Sequence, residues 1–226
     1  MKIDAFIFDL DGVITDTAEY HYLAWKALAE ELDIPFDRAF NEQLKGVSRT
    51  DSLELILERG NKQQDYSDVQ KEQFASKKNE HYVTLIEQIS PQDILPGIKE
   101  LIDDIKKEGI AIGLASASKN ALSVLESLGL RESFDTIVDA GKVAQGKPHP
   151  EIFLTAAEQL HVDPAHCIGV EDAASGVTAI KGAGMFAVAV GDGSILSHAD
   201  YIVHSTDQLD FQTIIRLYKE YKAAQA

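Results

Sequence analysis

The sequence predicts an α/β protein: a parallel sheet covered by helices on both faces, with a separate helical unit inserted near its start. Three observations carry this. Short apolar runs recur at 5–8, 110–115, 136–138, 167–170, 187–190 and 201–203. The later runs alternate with helical patterns. The first two runs are separated by about 100 residues, far more than one crossover between parallel strands needs.

The first run, Ala5-Phe6-Ile7-Phe8, is apolar at every position rather than at every second one. Such a strand is buried on both faces, the condition of a parallel sheet between two helical layers. Helices follow from spacing. Ile98, Leu101, Ile102 and Ile105 repeat at i, i+3, i+4 and i+7, with Pro96 near the start and Gly109 past the end. Ala121, Leu122, Val124, Leu125 and Leu128 form a second stripe, stopped by Gly129. Ile152, Phe153, Ala156, Ala157 and Leu160 form a third, introduced by Pro150. Within the long insertion, Ala24, Ala27, Leu28 and Leu32 share a face, as do Leu53, Ile56 and Leu57, and then Tyr82, Leu85, Ile86 and Ile89. The expected organisation is a core domain of residues 1–15 and 91–226 and a helical domain of residues 16–90, linked near Thr15-Asp16-Thr17 and Ser90-Pro91.

With 226 residues the chain can bury a substantial core. Its formal charge of −16 argues against nucleic acid as a partner, because a phosphate backbone needs a basic face. A small phosphate ester stays compatible, since local Lys, Arg and a metal ion decide that contact. No run approaches the roughly 20 apolar residues that cross a bilayer, and Asp4, Asp9 and Asp11 interrupt the N-terminal apolar stretch where a secretory signal would lie. The single cysteine, Cys167, reads as a small buried hydrophobe and excludes an internal disulfide. The expected compartment is the cytoplasm, with no membrane partner.

In an open parallel sheet, ligands bind beyond the carboxyl ends of the strands. Four charged or hydroxyl-bearing segments fall at such ends or in the loops beside them: Asp9-Leu10-Asp11-Gly12-Val13, Ser116-Ala117-Ser118-Lys119-Asn120, Lys147-Pro148 and Gly169-Val170-Glu171-Asp172. Each has an ordinary explanation alone. An Asp-x-Asp pair is usually solvated, Ser before a helix is usually a cap, and an acidic pair answers a helix dipole. Together they suit phosphoryl transfer. A carboxylate attacks phosphorus, and a second one moves a proton. Lysine and a divalent cation bound by hard oxygens neutralise the charge, while N–H groups at a helix start hold phosphate.

The four segments, in this order and spread over nearly the whole chain, resemble the motifs of the haloacid dehalogenase superfamily. The resemblance implies a Rossmann-like core with an inserted alpha-helical cap that closes over the site. It further implies Asp9 as nucleophile and Asp11 as acid/base, Ser116, Ala117 and Lys147 at the phosphate, and Mg2+ bound by Asp9, Glu171 and Asp172 with the main-chain carbonyl of Asp11. An aspartate at position 11 points to the phosphatase and mutase branches.

Within the insertion, Asp16-Thr17-Ala18-Glu19-Tyr20-His21 and Leu44-Lys45-Gly46-Val47-Ser48-Arg49 are similar to the phosphoglucomutase branch. That similarity implies a grip on a second phosphate by Arg49, Ser118, Lys119 and Asn120, sugar contacts from Lys45, Gly46, Val47 and Ser52, a bond from His21 to Asp11, and Thr17 in the hinge. The implied reaction interconverts beta-D-glucose 1-phosphate and D-glucose 6-phosphate in a monomer acting on small sugar phosphates. The alternative is a magnesium-dependent sugar-phosphate or phosphoglycolate-type phosphatase. By spacing alone, His21 reads as a surface helix residue and Lys45 with Arg49 as a solvated pair. Trp25 is expected to pack the insertion, and His149, His161, His166, His198 and His204 are given no role.

Overall fold

In the computed structural model, which describes residues 2–225, six parallel strands form one sheet in the order β3-β2-β1-β4-β5-β6. They are β1 Ala5–Phe8, β2 Ala111–Leu114, β3 Thr136–Ile137, β4 Cys167–Glu171, β5 Phe186–Val190 and β6 Tyr201–Val203. Every strand lies within one residue of its apolar run; β4 alone carries a charge in its last place, Glu171. Ala5 of β1 pairs with Ala111 on one side and Cys167 on the other. The strand order therefore reverses at β1 and β4, which opens a crevice beyond their carboxyl ends.

Nine α-helices accompany the sheet among the described residues: α1 Ala18–Glu31, α2 Arg38–Asn41, α3 Arg49–Arg59, α4 Asp68–Ile86, α5 Ile98–Lys107, α6 Ala121–Ser127, α7 Glu151–Gln159, α8 Ala174–Gly182 and α9 Phe211–Ala224. The pleat of β1 explains its composition. Phe6 and Phe8 enter one cluster with Ile98, Leu101, Val124, Leu125 and Ile214 from α5, α6 and α9. Ala5 and Ile7 enter the opposite cluster with Ile152, Phe153, Val177 and Ile180 from α7 and α8. Successive side chains point to opposite faces, so a strand clad on both sides is apolar throughout.

Helices α1 to α4 fall between β1 and β2. Their own cluster holds Trp25, Leu28, Ala29, Leu32, Ile34, Phe40, Leu53, Ile56 and Leu57. The stripe on α4 behaves differently from the other two. Tyr82 and Ile86, with Ile89 just past the helix end, join Ala24 in the cluster on the sheet, whereas Phe74 and Ala75, about two turns before Tyr82, pack against the helical cluster. One long helix thus has its ends in two hydrophobic environments. The two connections run side by side: Thr15 Oγ1 donates to the Asp93 carbonyl at 2.8 Å, and the Leu95 N–H donates to the Ile14 carbonyl at 2.9 Å. Among the described residues, no helix is long and apolar enough to cross a membrane.

Gly169 sets how closely α8 approaches β4. A Cβ there would lie 2.6 Å from Ile180 Cγ1 and 2.7 Å from its Cδ1 and Cγ2, and Ile180 is fully buried. Overpacking of this kind costs about 1–3 kcal/mol, more than the smaller backbone-entropy gain of a Gly→Ala change. Gly169→Ala is expected to lower the unfolding free energy measured in urea by that amount with native far-ultraviolet circular dichroism; an unchanged midpoint would show that α8 shifts freely.

Candidate active site

The chain leaves β1 and folds straight back. The Asp9 N–H still donates to the Val170 carbonyl at 2.9 Å, while the Leu10 carbonyl accepts from Ile14 at 2.8 Å and Gly12 donates to the Thr15 carbonyl at 2.8 Å. This turn places Asp9 and Asp11 in the crevice. Gly12 has φ +74°, and a Cβ on it would lie 2.1 Å from Asp172 Oδ2. Only glycine combines that backbone angle with so close an approach.

The center of the site is a buried ammonium. Lys147 Nζ donates to Asp9 Oδ1 and to Glu171 Oε1, each at 2.6 Å, and the side chains of Lys147 and Glu171 have no exposure. Glu171 Oε2 accepts from the N–H groups of Asp172 at 2.7 Å and Ala173 at 2.8 Å. Both Glu171 oxygens are therefore in use. Asp9, Glu171 and Asp172 each offer an oxygen within a 4.8 Å group suited to a metal ion. Three carboxylates face one ammonium, so two negative charges remain to be balanced. The titration shifts agree. Burial pushes Asp9 up to about 6 against the pull of Lys147. Asp172 is raised well above the carboxylate range by burial and then by Glu171 and Asp9. Burial lowers the Lys147 pKa, but Asp9 and Glu171 outweigh it and the net direction is upward.

Asp11 stands at the other end of the pair. Burial and then the charge of Asp9 push its carboxyl up to about 8, which brings both protonation states within reach near neutral pH. Facing it is His21, whose Nε2 is 3.7 Å from Asp11 Oδ2. His21 stacks on Tyr82 with centroids 4.1 Å apart, and its Nδ1 is 2.8 Å from Lys78 Nζ. Burial, then Lys78 and Arg49, hold the imidazole well below its ordinary pKa. A neutral ring that accepts from Lys78 at Nδ1 carries its proton on Nε2, which at 3.7 Å from Asp11 Oδ2 makes no hydrogen bond, so the expected His21–Asp11 bond is not formed here. Lys78 is itself buried, 4.7 Å from the Trp25 ring centroid and 4.8 Å from that of Tyr82. Burial and then Arg49 bring its pKa down to about 7, with Asp11 opposing.

Beyond β2, Ser116 is buried and its Oγ accepts from the Ser118 N–H at 3.1 Å; Ser118 Oγ in turn accepts from the Asn120 N–H at 3.2 Å. The sheet end and the helical insertion together enclose a cavity of about 260 Å³. Of the positions singled out from sequence, Asp9, Asp11, His21, Lys45, Gly46, Val47, Arg49, Ser52, Ser116 to Asn120 and Asp172 line it. Three do not. Thr17 is completely buried beside it, while Lys147 and Glu171 lie behind Asp9. His21 is not a surface residue, with 27% of its side chain exposed. Trp25 both packs the insertion and lines the cavity. Lys78, Asn79 and Asn41 also line the cavity and were not legible in the sequence. The one available signal was the offset of Lys78 by four residues from Tyr82, which puts both on one face of α4.

A phosphoryl-transfer core of this kind, on this fold, defines a class. The chain belongs to the haloacid dehalogenase-like hydrolase family, whose model matches residues 3–184. It is 50% identical over 218 residues, 96% of each chain, to beta-phosphoglucomutase of Bacillus subtilis. It is 31% identical to a phosphorylated carbohydrates phosphatase of Thermotoga maritima, covering 81% of this chain and 82% of that one. The crystal structure of beta-phosphoglucomutase from Clostridium difficile superposes with a TM-score of 0.97 at 54% identity, covering 98% of this chain and 99% of that one.

Asp11 gives the metal-free protein a defined pH response. Its folded pKa of about 8 lies above the ordinary 3.8, so its contribution to stability is complete near pH 4 and is lost as pH rises through 8. Asp11→Asn removes that loss. At about 1.4 kcal/mol per pKa unit, and discounted for a side chain 29% exposed, the variant should exceed the wild type by roughly 1–3 kcal/mol in urea at pH 8.5 and match it at pH 4. A parallel pH dependence of the two proteins would show that Asp11 titrates normally.

Proposed function

We propose that this protein is a beta-phosphoglucomutase, interconverting beta-D-glucose 1-phosphate and D-glucose 6-phosphate through an aspartyl-phosphate enzyme and beta-glucose 1,6-bisphosphate. The observation that carries the reading is the 50% identity to the Bacillus subtilis enzyme over 96% of the chain. The site supports it: residues of the insertion and of the sheet end face each other across one cavity.

In this reading Asp9 is the nucleophile. Lys147 orients its carboxylate from behind, leaving the other oxygen to face the cavity. Phospho-Asp9 donates to O6 of beta-glucose 1-phosphate while Asp11 takes the O6 proton. The resulting bisphosphate turns around. Asp9 then attacks the phosphorus on O1, and Asp11 returns a proton to the leaving oxygen. A group with a pKa near the working pH serves both steps. His21, through Nε2–H, orients Asp11. Ser116 and Ala117 hold the reacting phosphate, and Lys147 acts on it only through Asp9, from behind the cavity wall. Arg49, Ser118, Lys119 and Asn120 hold the distal one, and Arg49 suits that task because its planar fork matches phosphate oxygens. Lys45, Gly46, Val47 and Ser52 contact the sugar, and Thr17 serves the hinge from its buried place next to the paired linkers. Residues 1–15 and 91–226 act as the core and residues 16–90 as a cap whose closure excludes water from the phosphoenzyme.

Magnesium fits the donor set, which is three hard carboxylates with two uncompensated negative charges. Asp9 and Asp172, with the Asp11 carbonyl, would hold it, since Lys147 and two backbone N–H groups occupy Glu171, which contributes charge. Bound there, it neutralises charge on the transferring phosphoryl group. The protein is read as a cytoplasmic monomer acting on small sugar phosphates, and its one thiol is buried, with the pKa pushed up to about 12 by burial.

The test is direct. With beta-glucose 1-phosphate, magnesium and a trace of bisphosphate, glucose 6-phosphate should form with little inorganic phosphate. Phosphate release without glucose 6-phosphate would identify a phosphatase instead, the activity named for the Thermotoga maritima relative. Asp9→Asn should reduce turnover on the order of 10⁴-fold or more; near-normal turnover would remove Asp9 as nucleophile.

A further inference from the structure

Asn79 has no part in the roles assigned above. Among the described residues, two hydrogen bonds join the insertion to the remainder of the chain around the cavity. Ser175 Oγ donates to the Lys45 carbonyl at 3.3 Å, and Asn120 Nδ2 donates to Asn79 Oδ1 at 2.8 Å. The second joins a side chain of α4 to a side chain of the loop that leads into α6, and both residues line the cavity.

The geometry points to Asn79 as a positioning residue that acts through Asn120: as the cap closes, Asn79 Oδ1 captures the Asn120 amide, orients it toward the distal phosphate and seals that end of the cavity against water. The proposal rests on the mutase reading and names how its cap and core engage.

Three observations support it. Asn120 occupies the N-cap position of α6, where an asparagine side chain normally accepts from an N–H of its own helix, yet it makes no such bond. Its amide is turned to Asn79 instead. The Asn120 backbone is already fixed by Ser118 Oγ, so the side-chain torsions are what the Asn79 bond determines. Lastly, Lys78 and Asn79 are consecutive on α4. Lys78 holds His21, whose Nε2 faces Asp11 at 3.7 Å at the proton-transfer end, and Asn79 reaches the phosphate-loop end. One movement of one helix therefore engages both ends of the substrate together. The bond is only partly buried, so water replaces it when the cap opens, as a reversible latch requires.

The experiment compares wild type, Asn79→Ala, Asn120→Ala and the double variant in the glucose 6-phosphate and inorganic phosphate assay. Alanine is the best helix former, and Asn79 is half-exposed, so α4 should stay folded. Asn79→Ala is expected to raise the ratio of phosphate to glucose 6-phosphate about three- to tenfold, the worth of one neutral hydrogen bond, and the double variant should be no worse than the worse single one. An unchanged ratio in Asn79→Ala, or single effects that multiply in the double variant, would overturn the proposal. If the wild type forms no glucose 6-phosphate, the mutase reading fails on its own account. The latch is then read from beta-glucose 1-phosphate binding, followed by fluorescence of Trp25, the chain's one tryptophan, in the cavity wall. Weakening by three- to tenfold in Asn79→Ala supports it, and unchanged affinity refutes it.

Discussion

The Lys147 ammonium is the constraint on which the remainder of the site depends. It arrives in a loop between β3 and α7 and binds, at 2.6 Å each, carboxylates at the ends of two adjacent strands. Removing three charged groups from water is expensive, and a buried ion pair is weak evidence of stability. Its value is positional. With Lys147 in place, Asp9 is held by one oxygen, and Glu171 has no remaining freedom because backbone N–H groups take its other oxygen. The arrangement is also electrostatically unfinished, since Asp172 adds a third carboxylate to the same few ångströms. The raised pKa values of Asp9 and Asp172 record that imbalance. Either a divalent cation or bound protons would resolve it, and the two would compete at such a site.

The second charged assembly works by the opposite logic. Lys78, His21 and Asp11 are pushed toward their neutral forms by burial. Aromatic faces of Trp25 and Tyr82 take the place of a counter-ion around Lys78. One end of the site thus concentrates charge, and the other disperses it. Relatives of this chain bear names of both mutases and phosphatases.

Much of the fold was readable from local pattern. Runs such as Ala5-Phe6-Ile7-Phe8 state by themselves that both faces of the sheet are covered, and the stripes on α5, α6 and α7 hold their buried residues, with Leu122 of the α6 stripe exposed instead. The α4 stripe was readable as a helix but not as a bridge between two hydrophobic clusters, because amphipathic spacing says which face is apolar and nothing of what lies opposite. The residues of the four motif segments were likewise legible as chemistry at strand ends. Lys78 and Asn79 were not. They sit in the run Ser76-Lys77-Lys78-Asn79-Glu80, which has the composition of a solvated helix face.

Sequence alone determined the sheet, the insertion and the carboxylates that stand at the strand ends, because apolar periodicity and strand ends are local properties of the chain. Tertiary structure decided which charges are neighbors. Lys147 turned out to stand behind Asp9 rather than in the cavity wall, Thr17 beneath the wall rather than in it, and Lys78 in a pocket of rings contributed by α1 and α4. Charge, burial and proton affinity at these positions come from groups up to 138 residues away in the chain, and no local pattern encodes an interaction over that separation.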